Sequence, residues 1–230
     1  MVLFDLIGSV VDDHGCVPRL LTAACLRAGV LASLEVTQLQ WNFGSSVSEI
    51  LDRAISHSIP NNPFQFETLS RSIRSDFFRR VQDFLASADE IRPIPGASLV
   101  FAELQSEGIR VVVGSRLDEM TRIRLLDRFG WARDGLIDAH VSIENDHIPE
   151  TFSTAIDQAA HRCSVPETAL IAKVSTTPTA VQTGRTTRCH WIIAALFGPV
   201  PRHEFDRHGP THFVTSLGEL PEILLDRTLV

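Results

Sequence analysis

Short apolar, β-branched runs recur along the chain with helical stripes between them, and that alternation constrains the fold more than any other feature. The first run is Val2-Leu3-Phe4-Asp5-Leu6, a buried strand ending in a carboxylate, followed by Gly8 and the small hydroxyl of Ser9. Others lie at Ile109 to Val113, Ile137 to Ile143, Ala169 to Val174, Trp191 to Leu196 and His212 to Val214. Between them, Ala97, Val100, Phe101 and Leu104 form one stripe at spacings of three or four. Ile123, Leu126 and Phe129 form a second, and Phe152, Ala155, Ile156 and Ala159 a third. Strands without polar alternation, separated by amphipathic helices, predict an α/β fold with a parallel sheet covered on both faces.

One segment breaks the rhythm. From about Gly15 to Ile91 there are several helical stripes and no convincing strand, so an inserted helical subdomain over 15–91 is expected, with 1–14 and 92–230 forming the α/β core. Its best helix carries Phe66, Leu69, Ile73, Phe77, Val81 and Phe84 on one face. Arg71, Arg74, Asp76, Arg79 and Arg80 lie largely on the other, which reads as a solvated face. Pro60-Asn61-Asn62-Pro63 reads as a loop, and Arg92-Pro93-Ile94-Pro95-Gly96 as the hinge back to the core.

Composition narrows the class of function. With 21 basic and 28 acidic side chains and no basic cluster, the chain lacks the concentrated positive charge that nucleic acid requires. No apolar run approaches the roughly 20 residues of a membrane span, and the N-terminus has no signal-peptide pattern, so a cytoplasmic protein without membrane association is expected. Cys16, Cys25, Cys163 and Cys189 lack C-x-x-C spacing and read as reduced thiols. No histidine pair has the spacing of a zinc site, and no metal or other cofactor is expected. The partner expected is a small-molecule substrate, and a homodimer is compatible with the sequence. The only lysine, Lys173, reads as a structural strand residue.

The start, Phe4-Asp5-Leu6-Ile7-Gly8-Ser9-Val10-Val11-Asp12-Asp13-His14-Gly15, resembles the haloacid dehalogenase superfamily, in particular its phosphonatase-like branch, which typically reads FDxxGTTVDDxG. Ile94-Pro95-Gly96, Gly108 to Ser115, Leu125 to Trp131, and Lys173-Val174-Ser175-Thr176-Thr177-Pro178 followed by Gly184-Arg185 extend the resemblance in the family's order, and Ser216 to Pro221 is similar to its C-terminal helix start. The resemblance implies a Rossmann-like parallel sheet with a helical cap inserted after the first strand. It also implies an attacking carboxylate at Asp5, a hydroxyl at Ser115, a cationic side chain for the phosphoryl oxygens, and acids that help hold Mg²⁺. Asp5 and Ser115 match. Position 7 is Ile instead of an acid/base Asp, Val47 stands where phosphonatases carry the imine lysine, and Asp146 aligns with the family's Lys/Arg. Thr176 and Ala180 align with the metal acids.

These departures lead to the expectation of a metal-independent, non-phosphatase enzyme that reuses the capped cleft on a small organic substrate, by cyclisation, isomerisation or dehydration, with Asp5 as acid/base. Two alternatives stay open: a metal-free, dehalogenase-like hydrolase with Asp5 as nucleophile, and a pseudoenzyme acting as a binding module. Asp5, Asp13 and His14 are the catalytic candidates. Ser9, Asp12, Trp41, Phe43, Ser115, Arg116 and His147 are the substrate-binding candidates, His147 because a small shift in alignment would put it at the lost basic position.

Overall fold

The computed structural model describes residues 1–30, 47–58, 63–87, 90–115, 117, 119–143, 151–166, 169–187 and 189–225. The chain divides into two compact units, Met1–Asp12 with Arg92–Val230, and Asp13–Ile91.

The first unit is built on a six-stranded sheet of β1 (Val2–Asp5), β4 (Val111–Ser115), β5 (Ala139–Ser142), β6 (Ala172–Ser175), β7 (Trp191–Ala195) and β8 (His212–Val214), in the spatial order β5-β4-β1-β6-β7-β8. Every neighbouring pair is parallel. β1 lies inside the sheet, with Val2 opposite both Val111 and Ala172 and Asp5 opposite Gly114. Because its residues are covered on both faces, Val2, Leu3 and Phe4 are all fully buried, which is why the sequence shows an unbroken apolar run.

Adjacent side chains of β1 point to opposite faces, and each meets a different core. Leu3 joins Val112, Val141 and Ile143 beneath α6 (Thr151–Arg162), which contributes Ala155, Ile156 and Ala159. Ala180 of α7 (Pro178–Thr186) completes that cluster. On the other face the Phe4 ring lies 5.4 Å from Phe101 of α4 (Ala97–Ser106), which makes an edge contact with Trp131 at 5.1 Å. The Trp131 indole N–H donates to Ser98 Oγ at 2.9 Å, so this fully buried ring leaves no polar group unmet. Truncating Phe101 or Trp131 to Ala would cost about 3–5 kcal/mol.

Two strand expectations shift. The run from Ala169 enters the sheet only at Ala172, because Ala169 N–H closes a turn onto Pro166 C=O. Arg92-Pro93, read as a hinge, forms β3 (Arg92–Pro93), antiparallel to β2 (Val11–Asp12), with Ile94 N–H donating to Val10 C=O at 2.8 Å. Pro93 is tolerated there because an isolated two-stranded pairing leaves its missing N–H on an edge. α5 (Glu119–Arg128), α8 (Arg202–Asp206) and α9 (Leu220–Leu224) complete the unit.

The second unit is helical: α1 (Cys16–Arg27), α2 (Val47–Ser58) and α3 (Pro63–Ser87). Along α3 the deepest residues are Ile73, Phe77, Val81 and Leu85, four residues apart, so Leu85 takes the core position expected of Phe84. On its polar side Asp76 accepts from Arg27, Arg79 and Arg80. The Arg80 contact, with those of Arg79 and Arg27, outweighs desolvation and holds the Asp76 carboxyl at a pKa of about 2. The arginine-rich face is therefore internally paired, as a solvated helix face should be. All four cysteines are free, and burial pushes the Cys25 thiol up to about 11. Among the described residues no helix is long and apolar enough to cross a membrane.

Candidate active site

Asp5 ends β1 at the carboxyl edge of the sheet, where open parallel sheets bind ligands. Its two oxygens are engaged separately: Lys173 Nζ donates to Oδ1 at 2.7 Å, and Ser175 Oγ donates to Oδ2 at 2.6 Å. The register explains both contacts. Lys173 lies opposite Leu3, two residues below Asp5, and its four-carbon stem spans that offset. Ser175, two residues further along β6, shares the face of Lys173 and stands level with the carboxylate, where one carbon suffices. Lys173 is 1% exposed and Asp5 18%. Desolvating an ammonium this far is tolerated only against a well-placed anion, so the two charges depend on each other.

Ser175 is fixed from a second direction, because its Oγ accepts Thr177 N–H at 3.1 Å. Thr176 between them is buried and seated by two glycines. A side chain at Gly8, where φ is +87°, would come within 2.8 Å of Thr176 Oγ1, and one at Gly198 would come within 2.8 Å of its Cβ. Thr176 therefore fills, with a neutral hydroxyl, the space where the resemblance places a metal acid. Ala180, the other such position, is buried in the apolar cluster. The remaining carboxylate, Asp5, already carries an ammonium, and no group of three His, Cys, Asp or Glu among the described residues could hold a metal ion. This donor set does not fit a hard divalent cation, which needs several anionic or carbonyl oxygens.

Ser115, the last residue of β4, lies one position past the partner of Asp5 and is buried. Its Oγ accepts Leu117 N–H at 3.1 Å, which leaves its own proton for an oxygen in the cleft. Ser9 is completely buried, and its hydroxyl has no partner among the described residues. Asp12 sits in β2, half-buried. Asp13 and His14 open the second unit: Asp13 Oδ1 accepts Gly15 N–H at 3.2 Å, and His14 is exposed with φ +48°. Trp41, Phe43, Arg116 and His147 lie outside the described residues, as does Asp146. The structure thus brings Asp5 together with Lys173 and Ser175, neither of which was a site candidate from sequence. The signal that could have found Lys173 was its uniqueness, combined with a position two residues before Ser175 on a strand adjacent to β1.

No protein-family profile and no curated protein matches the sequence. Solved structures do. The chain is similar to a predicted phosphatase from Clostridium acetobutylicum at 17% identity, over 98% of this chain and 97% of that one, with a TM-score of 0.72. It is similar to a haloacid dehalogenase-like hydrolase from Streptococcus pneumoniae at 14% identity over 97% of each chain, with a TM-score of 0.68. CbbY from Rhodobacter sphaeroides, solved with phosphate, shares 19% identity over 95% of each chain, with a TM-score of 0.66.

These likenesses correct the expected function. The similar structures are named as phosphatases and a phosphoglucomutase, which runs against the expected non-phosphatase enzyme and supports neither the dehalogenase-like hydrolase nor the pseudoenzyme; at 14–18% identity they show the fold of this chain. The physical reason lies in the cation. Asp146 stands where the resemblance places a cation, whereas Lys173 brings an ammonium to Asp5 from β6. With its order of parallel strands, its terminal carboxylate on β1 and its helical insertion after that strand, the chain has the haloacid dehalogenase-like fold.

Proposed function

We propose that the chain hydrolyses a small phosphorylated molecule, with Asp5 as the nucleophile. The observation that carries this reading is the carboxylate held between Lys173 Nζ and Ser175 Oγ at the open end of the sheet. A carboxylate approaches a phosphoryl group only if positive charge offsets the repulsion, and Lys173 supplies it at the attacking group itself. In the first step an Asp5 oxygen bonds to phosphorus and the bond from phosphorus to the leaving oxygen breaks, the electron pair departing with that oxygen as an anion. Water then attacks phosphorus, the Asp5–phosphorus bond breaks, and inorganic phosphate departs with Asp5 regenerated. Ser175 keeps the carboxylate oriented through both steps, and the Ser115 proton is available to a phosphoryl oxygen. Asp13 and His14 stand in the segment that leads into the helical unit of residues 13–91.

Position 7, where an acid/base would protonate the leaving oxygen, is Ile and offers no proton. The reading therefore favours substrates whose leaving group departs as a stable anion, such as acyl or aryl phosphates, over alkyl phosphates. The test is a phosphate-release assay on acetyl phosphate, 4-nitrophenyl phosphate and an alkyl phosphate, with Asp5→Asn as control. Single turnover in ¹⁸O-water should place label in the released phosphate and none in Asp5, since water attacks phosphorus. Absence of Asp5-dependent phosphate release across the panel would overturn the reading.

A further inference from the structure

Behind Ser115 lies a chain of contacts that the reaction does not touch directly. Arg122 of α5 is buried at 4% exposure, and its guanidinium bridges two acceptors. Nη1 donates to Leu117 C=O at 2.9 Å, and Nε donates to His140 Nδ1 at 3.0 Å. The peptide group on the other side of Leu117 donates its N–H to Ser115 Oγ. Leu117 is thus held from both ends, by Arg122 at its carbonyl and by Ser115 at its amide. Where Leu117 is held therefore sets the direction from which the Ser115 hydroxyl accepts its N–H.

His140 lies on β5, the edge strand, opposite Val113. To accept from Arg122 its Nδ1 must carry no proton, so the geometry requires the neutral ring with hydrogen on Nε2. A protonated ring would turn an acceptor into a donor facing a guanidinium. Among the described residues the charged groups acting on it are Arg122 and Glu119 from α5 and Arg162 from α6, whose Nη1 donates to the His140 carbonyl at 2.7 Å. Burial, reinforced by Arg122 and Arg162 and opposed by Glu119, lowers the imidazole below its ordinary value of 6.5.

We propose that Arg122 is a positioning residue for Ser115, set by neutral His140, and that protonating His140 releases the Arg122 hold on Leu117 and makes the placement of the Ser115 hydroxyl depend on pH. For its effect on turnover this rests on Ser115 meeting the substrate. The coupling itself does not, and it is read without any substrate.

The experiment is a nuclear magnetic resonance titration of the full chain, following the His140 ring and the Leu117 amide. In the wild type both should move with one midpoint below 6.5. In His140→Asn the Asn Oδ1 replaces Nδ1 as acceptor without titrating, so the Leu117 amide should be still across the same range. In Arg122→Met the His140 ring should still titrate while Leu117 no longer follows it. If phosphate hydrolysis is observed, Arg122→Lys, which cannot bridge two acceptors in the same fork, should lower kcat by about 10–100-fold. The acid limb of kcat/KM should then vanish in His140→Asn. A Leu117 amide that ignores the His140 titration, or that titrates equally in His140→Asn, would overturn the proposal. Failure of hydrolysis alone would overturn the catalytic reading and leave these spectra to decide the coupling.

Discussion

The sheet carries a bonded carboxylate at each end, and the two are solved by different means. At the amino end Asp138, just before β5, accepts from Arg110 Nη1 at 2.7 Å, from Gln105 Nε2 at 3.1 Å and from Val111 N–H at 2.8 Å. Its cation is 57% exposed. At the carboxyl end Asp5 has a cation that is 1% exposed, a single hydroxyl and no backbone donor among the described residues. Asp138 fastens a strand: its partners are a backbone amide and side chains that keep their hydration. Asp5 fastens nothing that backbone bonding does not already hold, while obliging the fold to bury an ammonium. A carboxylate whose partner must be desolvated is a costly structural device, and that contrast supports the proposal of Asp5 as the working group.

Removing either half of the Asp5 pair should break the contrast most strongly. Asp5→Asn should abolish phosphate release, a loss on the order of 10³-fold or more, and should destabilise the protein by about 3 kcal/mol because Lys173 is left charged and buried. Lys173→Met should lower kcat by about 10²–10³-fold. A double-mutant cycle by denaturant unfolding should show the double variant more stable than the sum of the two losses allows. Additive losses would mean that the two charges do not depend on each other.

At the other end the expected effects fall on stability alone. Asp138→Asn should cost about 1–3 kcal/mol and leave turnover unchanged. Burial works to raise the Asp138 pKa, but the Val111 N–H, Gln105 and Arg110 outweigh it and hold the carboxyl below its ordinary value of 3.8. A depressed folded value means that the contribution is complete above 3.8 and disappears as pH falls through the lower folded value. Wild type and variant should therefore converge in stability in that acid window, measured by melts at graded pH. A gap that persisted at the acid end would assign the loss to packing and not to charge.

The smallest effect sharpens the comparison within the carboxyl end itself. Ser9→Ala removes a buried hydroxyl that has no partner among the described residues, so stability should change by less than about 0.5 kcal/mol or rise slightly. A loss well above that in chemical denaturation would show that the hydroxyl is engaged in solution.

Much of this was legible before any coordinates, for reasons that are local. Burial of β1 on both faces leaves an uninterrupted apolar run, and the three- and four-residue stripes of α4 and α6 face the same sheet, so a parallel sheet with helical layers follows from composition along short windows. The break in that rhythm after residue 15 led to the expected helical insertion in the same way, and Asp5 became a candidate because a strand that ends in a carboxylate before Gly8 is a local pattern. Only tertiary structure decided what Asp5 meets. Lys173 and Ser175 lie 168 and 170 residues away along the chain, and they reach it because β6 pairs with β1 in a register that puts Lys173 two residues below the carboxylate. Sequence alone gave Lys173 to strand packing because periodicity reports which face a side chain takes, and cannot report how far a flexible stem climbs along that face. The same holds for Thr176: that it is a hydroxyl is plain in the sequence, but that Gly8 and Gly198 close around it, so that neither glycine could carry a side chain without displacing it, depends on loops brought together only by the folded sheet.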